Sequence, residues 1–397
     1  MALPDLFLRK NEDHRLKAGH LWVFSNEVDT ARSPLGNFRP GQQARIVAAD
    51  GSVLGAGYVN PNSLICARLV SRDPEQLLDR SLLVHRLNVA LSLRERVFDG
   101  PYYRLVHAES DALPGLVVDR FGDVLSVQLN TAGMEAVRGE VIDALVKVLK
   151  PAAVVLRNDT SSRGLEGLPS EVETVYGVVP EVVEIIENGA RFRVPLMEGQ
   201  KTGWFFDHRD NRDRLRRYVR GARVLDVFSY VGGWGVQAAT FGAKEVVCVD
   251  ASETALAQVG ENAALNNVDD RVSGLLGDAF EALRALRADR EQFDVVVLDP
   301  PAFIKRKKDV TQGVQAYRRV NQAAMQLLGK DGILVSASCS YHLHRETLLS
   351  VMDKASRHLD RGLQVLEQGH QAPDHPVHPA IPETDYLKCY IARCVLR

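Results

Sequence analysis

At 397 residues, 45% hydrophobic and 25% charged, the chain has the composition of a soluble globular protein with room for two or three domains. Its formal net charge of −2 excludes a globally basic nucleic-acid binder, so any such partner must be held by local patches. No apolar run approaches a membrane span, the start MALPDLFLRKNEDHR lacks an apolar signal core, and five scattered cysteines without a CxxC argue against a disulfide framework or a zinc site; the cytosol is the expected compartment.

Residues 1–72 read as a small β-rich domain. Short apolar runs (Gln43–Ala49, Val53–Val59, Ile65–Val70) are separated by turn signals at Pro40-Gly41, Asp50-Gly51 and Asn60-Pro61. Lys10, Arg15 and the stretch Lys17 to Phe24 supply Lys, His and Trp for RNA contact; the competing reading puts Trp22 and Phe24 in the core.

Residues 73–185 form a central α+β segment. Leu77, Leu78, Leu82, Leu87, Leu91 and Val97 predict a helix from Glu75 to about Phe98. The runs Leu116–Asp119 and Val124–Gln128 predict a hairpin turning at Phe121-Gly122-Asp123, followed by a helix over Met134–Leu149 and a strand over Ala153–Leu156.

Residues 186–397 open with a loop in which Gly199 and Gly203 bracket Gln200, Lys201 and Thr202, and a helix is expected from Asp207. Seven arginines fall between Arg209 and Arg223, and two readings compete for them: a solvated helix face and phosphate binding. From Arg223 onward strands and helices alternate. Strands are predicted at Val224–Val227, Val246–Val249, Val272–Leu276, Phe293–Leu298 and Ile333–Ala337, with an antiparallel edge from Gln364–Glu367 and Tyr386–Leu396. Such alternation predicts a doubly wound, Rossmann-like α/β fold.

In that fold, ligands bind beyond the carboxyl ends of the strands. Asp226, Asp250, Asp278 and Asp299 end four successive strands there, and the turn Phe228-Ser229-Tyr230-Val231-Gly232-Gly233 lies beside the first. This acidic rim, without a GxGxxG or GxxxxGK[ST] phosphate cradle, suits a cationic, hydroxyl-rich ligand such as S-adenosylmethionine. Asp226 and the turn would take its methionine end, Asp250 its ribose, and Asp278-Ala279 its adenine. In Asp299-Pro300-Pro301-Ala302-Phe303 the two prolines fix an extended turn that can present carbonyls to an exocyclic amine, while Phe303 can stack on a base; a merely rigid loop is the bland alternative.

Cys339 lies in Ser338-Cys339-Ser340 at the end of the fifth strand. A lone strand cysteine is commonly a small hydrophobe. At this place it suits a nucleophile that adds to carbon 6 of cytosine and makes carbon 5 reactive toward a sulfonium methyl. Cys66, Cys248, Cys389 and Cys394 sit in or beside apolar runs and read as core. His370, His375 and His378, interrupted by prolines, fit no zinc pattern and read as an irregular loop; His342 and His344 read as solvent-facing.

The blocks GQKTGWFFDHRDNR, LDVFSYVGGWGV, VVCVD, GDAF, DPPAF, SASCS and ESDALPGLVVDRFGD together resemble the RlmI-type large-subunit ribosomal RNA cytosine-C5 methyltransferases over nearly the whole chain. The resemblance implies a PUA domain over 1–72, a central α+β domain over 73–185 and a class I methyltransferase domain over 186–397. It also implies S-adenosylmethionine as cofactor, 23S ribosomal RNA as partner and Cys339 as nucleophile. The expected cofactor set is Asp226, Phe228, Ser229, Gly232, Gly233, Asp250, Ser252, Asp278, Ala279 and Asp299, with Thr202, Phe205 and Asp207. Pro300, Pro301, Phe303, Lys305, Lys201 and Arg209 are the candidates for RNA, and neither metal nor membrane is expected. The sequence does not fix the oligomeric state, a homodimer being one option. Ala302 stands where other RNA cytosine-C5 families carry a second cysteine, which leaves the base that removes hydrogen 5 unassigned, with Asp299 a candidate. A base inside a helix cannot reach such a sheet edge, so the target must be flipped or single-stranded. Lys305-Arg306-Lys307-Lys308 and the arginine-rich stretch are expected to grip RNA backbone.

Overall fold

The computed structural model describes residues 3–197 and 202–396. The chain divides into two compact units: one holds the residues up to Ile185 together with Val194–Phe206 and Pro373–Thr384, the other Ile186–Arg193, Asp207–Ala372 and Asp385–Arg397.

Two five-stranded sheets dominate the first unit. In the first, the spatial order is Asp5–Phe7, Gln42–Val47, Val53–Val59, Ile65–Ser71 and Trp22–Phe24, over a core that includes Leu6, Val23, Ile46, Val59 and Leu69. The three expected strands are present within two residues at each end. Trp22 is only partly buried, its indole N–H donating to Glu109 Oε1 at 2.9 Å, and Phe24 is partly buried too, so neither is a core residue.

The second sheet runs Glu171–Gly177, Ala153–Asn158, Val124–Leu129, Leu116–Phe121 and Tyr102–His107. The helix expected from Glu75 starts at Arg80, because the Asp79 carboxylate caps it by accepting from the Leu82 N–H at 2.9 Å. The helix expected over Met134–Leu149 is two helices, Ala132–Ala136 and Arg138–Leu149, parted at Val137. Arg94, wholly buried, makes a two-pronged ion pair with Asp111 (2.6 and 2.7 Å) and also donates to the Arg104 and Asp374 carbonyls, both at 2.9 Å. Asp374 returns a bond by accepting from the Arg104 N–H at 2.9 Å. A segment late in the chain is thereby part of this unit's interior.

In the second unit seven strands form one sheet: β1 Arg223–Val227, β2 Glu245–Asp250, β3 Val272–Leu276, β4 Phe293–Leu298, β5 Leu328–Ser338, β6 Arg361–Gly369 and β7 Lys388–Leu396. Their order is β3-β2-β1-β4-β5-β7-β6. The first five are parallel, and β7 is antiparallel to both β5 and β6, the edge the sequence predicts. Val224, Leu225, Val227 and Val295–Leu298 are at or within 1% of complete burial, as a central parallel sheet requires. The direction of strand succession reverses between β1 and β4, so the switch point of the sheet lies at the carboxyl ends of these two strands. No described helix is long and apolar enough to cross a membrane.

Candidate active site

The loop after β1 is held in an unusual backbone form. Phe228 (φ 68°) and Tyr230 (φ 49°) are non-glycine residues in the left-handed region, and Gly232 (φ 86°) follows them. The Phe228 and Ser229 N–H groups both donate to the Val249 carbonyl, and the Tyr230 N–H donates to Asp250 Oδ2 at 2.9 Å. Asn262, buried on the helix Glu253–Leu265, donates to the Val231 carbonyl at 3.0 Å and accepts from the Arg193 N–H at 2.8 Å. These bonds offset the strain and fix the loop beside the switch point.

The four acids of the rim have different tasks. Asp226 is wholly buried. Its Oδ2 accepts from the Gly235 N–H at 2.8 Å, and its Oδ1 has no hydrogen-bond partner among the described residues. Burial pushes its carboxyl up to about 7, opposed by the Gly235 N–H and assisted by the Asp299 and Asp250 charges. A Cβ at Gly235 would sit 2.5 Å from Cys248 Sγ and 3.1 Å from Asp226 Oδ2, so only glycine lets the helix start reach this acid. Asp250 is partly exposed and accepts from the Tyr230 and Ser252 N–H groups at 2.9 Å each. Ser252 in turn caps the helix Glu253–Leu265 by accepting from the Ala255 N–H. Asp278 is exposed and caps the helix Ala279–Ala288 through the Phe280 and Glu281 N–H groups.

Asp299, one residue past β4, has a side chain 22% exposed. The Trp234 indole N–H donates to its Oδ2 at 3.0 Å, and His208 Nε2 lies 3.2 Å from its Oδ1. Burial works to raise its pKa. His208 and Trp234 outweigh that and leave the carboxyl below its ordinary range, though nearby Asp207 pulls the other way. A carboxylate held down by such partners is better suited to accepting a hydrogen bond than to removing a proton.

Cys339 lies one residue past β5, which runs parallel to β4 with Leu298 paired to Ser336. It is partly exposed, whereas Cys66, Cys248, Cys389 and Cys394 are buried. Its two flanking serines are pinned by one hydroxyl: Ser338 Oγ bonds Tyr317 Oη at 2.8 Å, and Tyr317 Oη lies 2.9 Å from Ser340 Oγ. Ser340 Oγ also accepts from the Ile304 N–H at 3.2 Å, which ties the Asp-Pro-Pro loop to the cysteine loop. In that loop Pro300 is buried and Pro301 exposed, while Phe303 packs against Tyr317 with ring centres 4.9 Å apart and against Phe228 at 6.3 Å.

A family model described as S-adenosylmethionine-dependent methyltransferase matches residues 166–386, and one for a PUA-like domain matches residues 6–72. The ribosomal RNA large subunit methyltransferase I of Shewanella frigidimarina is 38% identical over 393 residues, 97% of this chain and 98% of that protein. The protein of the same name from Aliivibrio fischeri is 37% identical over 395 residues, 98% and 99% of the two chains. The chain belongs to the ribosomal RNA large subunit methyltransferase I family.

Its fold is shared with a methyltransferase solved in complex with SAH (TM-score 0.84, 20% identical, covering 98% of this chain and 100% of that one). A SAM-dependent methyltransferase from Streptococcus mutans gives a TM-score of 0.82 at 20% identity and the same coverage. S-adenosylmethionine is the cofactor of the family, and the residues here fit it. A buried carboxylate oxygen at the end of β1 with no partner among the described residues suits a cationic group, and the partly exposed carboxylate of Asp250 at the end of β2 suits a ribose diol.

The structure brings Asp226, Phe228, Ser229, Gly232, Gly233, Asp250, Ser252 and Asp299 together around the carboxyl ends of β1, β2 and β4, with Asp278 and Ala279 at the start of the helix after β3. Asp207 is buried in the same unit, where its Oδ2 accepts from the Tyr386 hydroxyl at 2.7 Å. Thr202 and Phe205 belong to the first unit, Thr202 buried and Phe205 partly exposed. Lys201 lies outside the described residues. Lys305 is exposed, as are Arg306, Lys307 and Lys308 beside it.

Arg209 is a correction. Expected on RNA backbone, it is 8% exposed, with Nε 3.7 Å from Glu187 Oε2, and a buried guanidinium facing a carboxylate cannot grip a phosphate. Arg212 joins it in a two-pronged pair with Glu187 (2.6 and 3.0 Å), to which Gln237 also donates. Arg214 and Arg217 face Glu367, Arg216 faces Asp213, and Arg223 bridges Glu245 and Glu291. Most of this arginine run is therefore matched by acids within the unit. His375 lies in an irregular loop, as expected, and is buried in the first unit with Nδ1 2.8 Å from Asp374 Oδ1. His208, Trp234 and Tyr317 are residues at the site that sequence reasoning missed. His208 and Trp234 each lie within a block that carries the family resemblance, and that was the available signal. No group of three or more metal-ligating side chains occurs among the described residues.

Proposed function

We propose that the protein methylates carbon 5 of a cytosine in 23S ribosomal RNA, with Cys339 as the nucleophile. The observation that carries the reading is the placement of Cys339: partly exposed, one residue past β5, next to the strand of Asp299, with both neighbouring serines fixed by Tyr317. S-adenosylmethionine, when bound, supplies an electrophilic methyl group on sulfur.

The chain's own residues supply the rest. The Cys339 thiolate forms a bond to carbon 6 and pushes an electron pair to carbon 5, which thereby becomes the nucleophile for the methyl group. Hydrogen 5 is then lost as a proton, the carbon 5–carbon 6 double bond re-forms, and the thiolate leaves. The Asp299 carboxylate and the Pro300–Pro301 turn hold the exocyclic amine side of the ring, and Phe303 offers a stacking face. The four exposed cations from Lys305 to Lys308 serve as the backbone grip in place of the arginine run.

The test is Cys339→Ala, read by mass spectrometry of nucleosides from 23S RNA methylated in vitro. Loss of 5-methylcytosine with S-adenosylmethionine binding retained is the expected result. Full activity in the alanine variant would remove the covalent route and leave transfer to an exocyclic nitrogen as the better account.

A further inference from the structure

A thiol adds to a pyrimidine only as the thiolate, so something beside Cys339 must favour loss of its proton. Asp299 has the wrong charge, and His342 and His344 lie in the loop after the cysteine. Lys388, the first residue of β7, has the right charge and the right place. It lies directly opposite Ser338 in the antiparallel pairing of β5 with β7. Its side chain is on the inside of the protein, at 5% exposure, and its ammonium donates to the Ser340 carbonyl at 2.7 Å. That carbonyl belongs to the residue after Cys339, so Nζ is fixed against the backbone that carries the sulfur.

Resting on the reading of Cys339 as nucleophile, we propose that Lys388 is the positioning residue that holds Cys339 as its thiolate. The S–H bond breaks, the proton leaves to water, and the thiolate that remains pairs with the Lys388 ammonium already in place. When substrate has been released the same ammonium remains the counter-charge for the sulfur.

The surroundings agree. Burial lowers the Lys388 ammonium to about 8, the Cys339 and Asp385 charges oppose that fall, and Arg345 adds to it. Tyr317, whose hydroxyl bonds the serines on both sides of Cys339, is raised by burial and, further down its causes, by the Cys339 charge, so its hydroxyl stays protonated and neutral. An ammonium that gives up its proton only near 8 is still charged at pH 7, where it favours the thiolate.

The experiment is the pH dependence of alkylation of Cys339 by iodoacetamide, followed by mass spectrometry of the peptide that carries it. Lys388→Gln keeps a donor for the Ser340 carbonyl and removes the charge; Lys388→Arg restores the charge. In the unaltered protein, half-maximal reactivity should fall below the ordinary cysteine value of about 8.5. In the glutamine variant it should move up by about one pH unit, or roughly tenfold slower alkylation at pH 7, and the arginine variant should recover it. An unchanged profile in the glutamine variant, or one that arginine does not restore, overturns the proposal. If the glutamine variant does not fold, the unaltered protein decides: an ordinary thiol profile overturns it. Alkylation needs no methyl transfer, so this result stands apart from the Cys339→Ala test. An active alanine variant defeats the nucleophile reading alone, whereas an unshifted thiol defeats the role of Lys388 alone.

Discussion

Asp226→Asn is the most informative single substitution in the sheet. The carboxyl is wholly buried and raised from 3.8 to about 7. Between these values the folded chain keeps a proton that the unfolded chain has released, so stability is full below about pH 4 and declines as pH rises through 7. Three pKa units at about 1.4 kcal/mol each give a ceiling of about 4 kcal/mol for the cost of ionising this site. Asparagine has nearly the same shape, cannot ionise, and offers its carbonyl to the Gly235 N–H. Without S-adenosylmethionine, the variant should match the parent at about pH 4 and exceed it at pH 8 by up to about 4 kcal/mol. Urea titrations of both proteins at the two pH values measure this through the shift in midpoint. A cationic ligand reverses the preference, since it gains from the ionised acid. The parent should therefore bind S-adenosylmethionine more tightly as pH rises through 7, and the variant should bind it more weakly with a flat pH profile. A stability gap between the two proteins that is the same at pH 5 and pH 8 would refute the reasoning, because it would mean that Asp226 does not change its charge in that window.

Tyr317→Phe removes the hydroxyl that joins Ser338 and Ser340. It should cost about 1–2 kcal/mol of stability and lower kcat about tenfold, with KM for S-adenosylmethionine unchanged, as steady-state kinetics will show. Replacing Lys305, Arg306, Lys307 and Lys308 together by glutamine should flatten the dependence of RNA affinity on salt, by about 0.7 in the log–log slope for each phosphate of single-stranded RNA that is no longer neutralised; an unchanged slope would place the grip elsewhere.

The alternation of strands and helices after Arg223 was legible because buried parallel strands are short apolar runs with acids or glycines at their ends, as in Val224–Val227 and Phe293–Leu298. Asp5–Phe7 and Trp22–Phe24 were not, being only three residues long. Glu171–Gly177 escaped because it is a largely exposed edge strand, paired on one side, and its sequence EVETVYG lacks an apolar face. At the site, the positions of Asp226, Asp250 and Asp299 could be read from strand ends, but their separate duties could not. Which acid is buried, which accepts from a loop and which is clamped by His208 and Trp234 depends on residues far apart in the chain. Lys388 is the extreme case: its neighbour Cys339 is nearly fifty residues away, and only the return of β7 beside β5 brings them together. Arg209 was misread for a related reason, since nothing local reveals that Glu187 waits for it.

The bond between Arg94 and the Asp374 carbonyl has a consequence for how this chain comes into being. The front of the polypeptide leaves the ribosome long before residues 373–384 are translated, and until they arrive Arg94 and Arg104 each lack one of their native partners. The amino-terminal unit is thus begun first and finished almost last. A polypeptide truncated anywhere before Pro373 would leave that interior permanently incomplete, however cleanly the cut falls between strands.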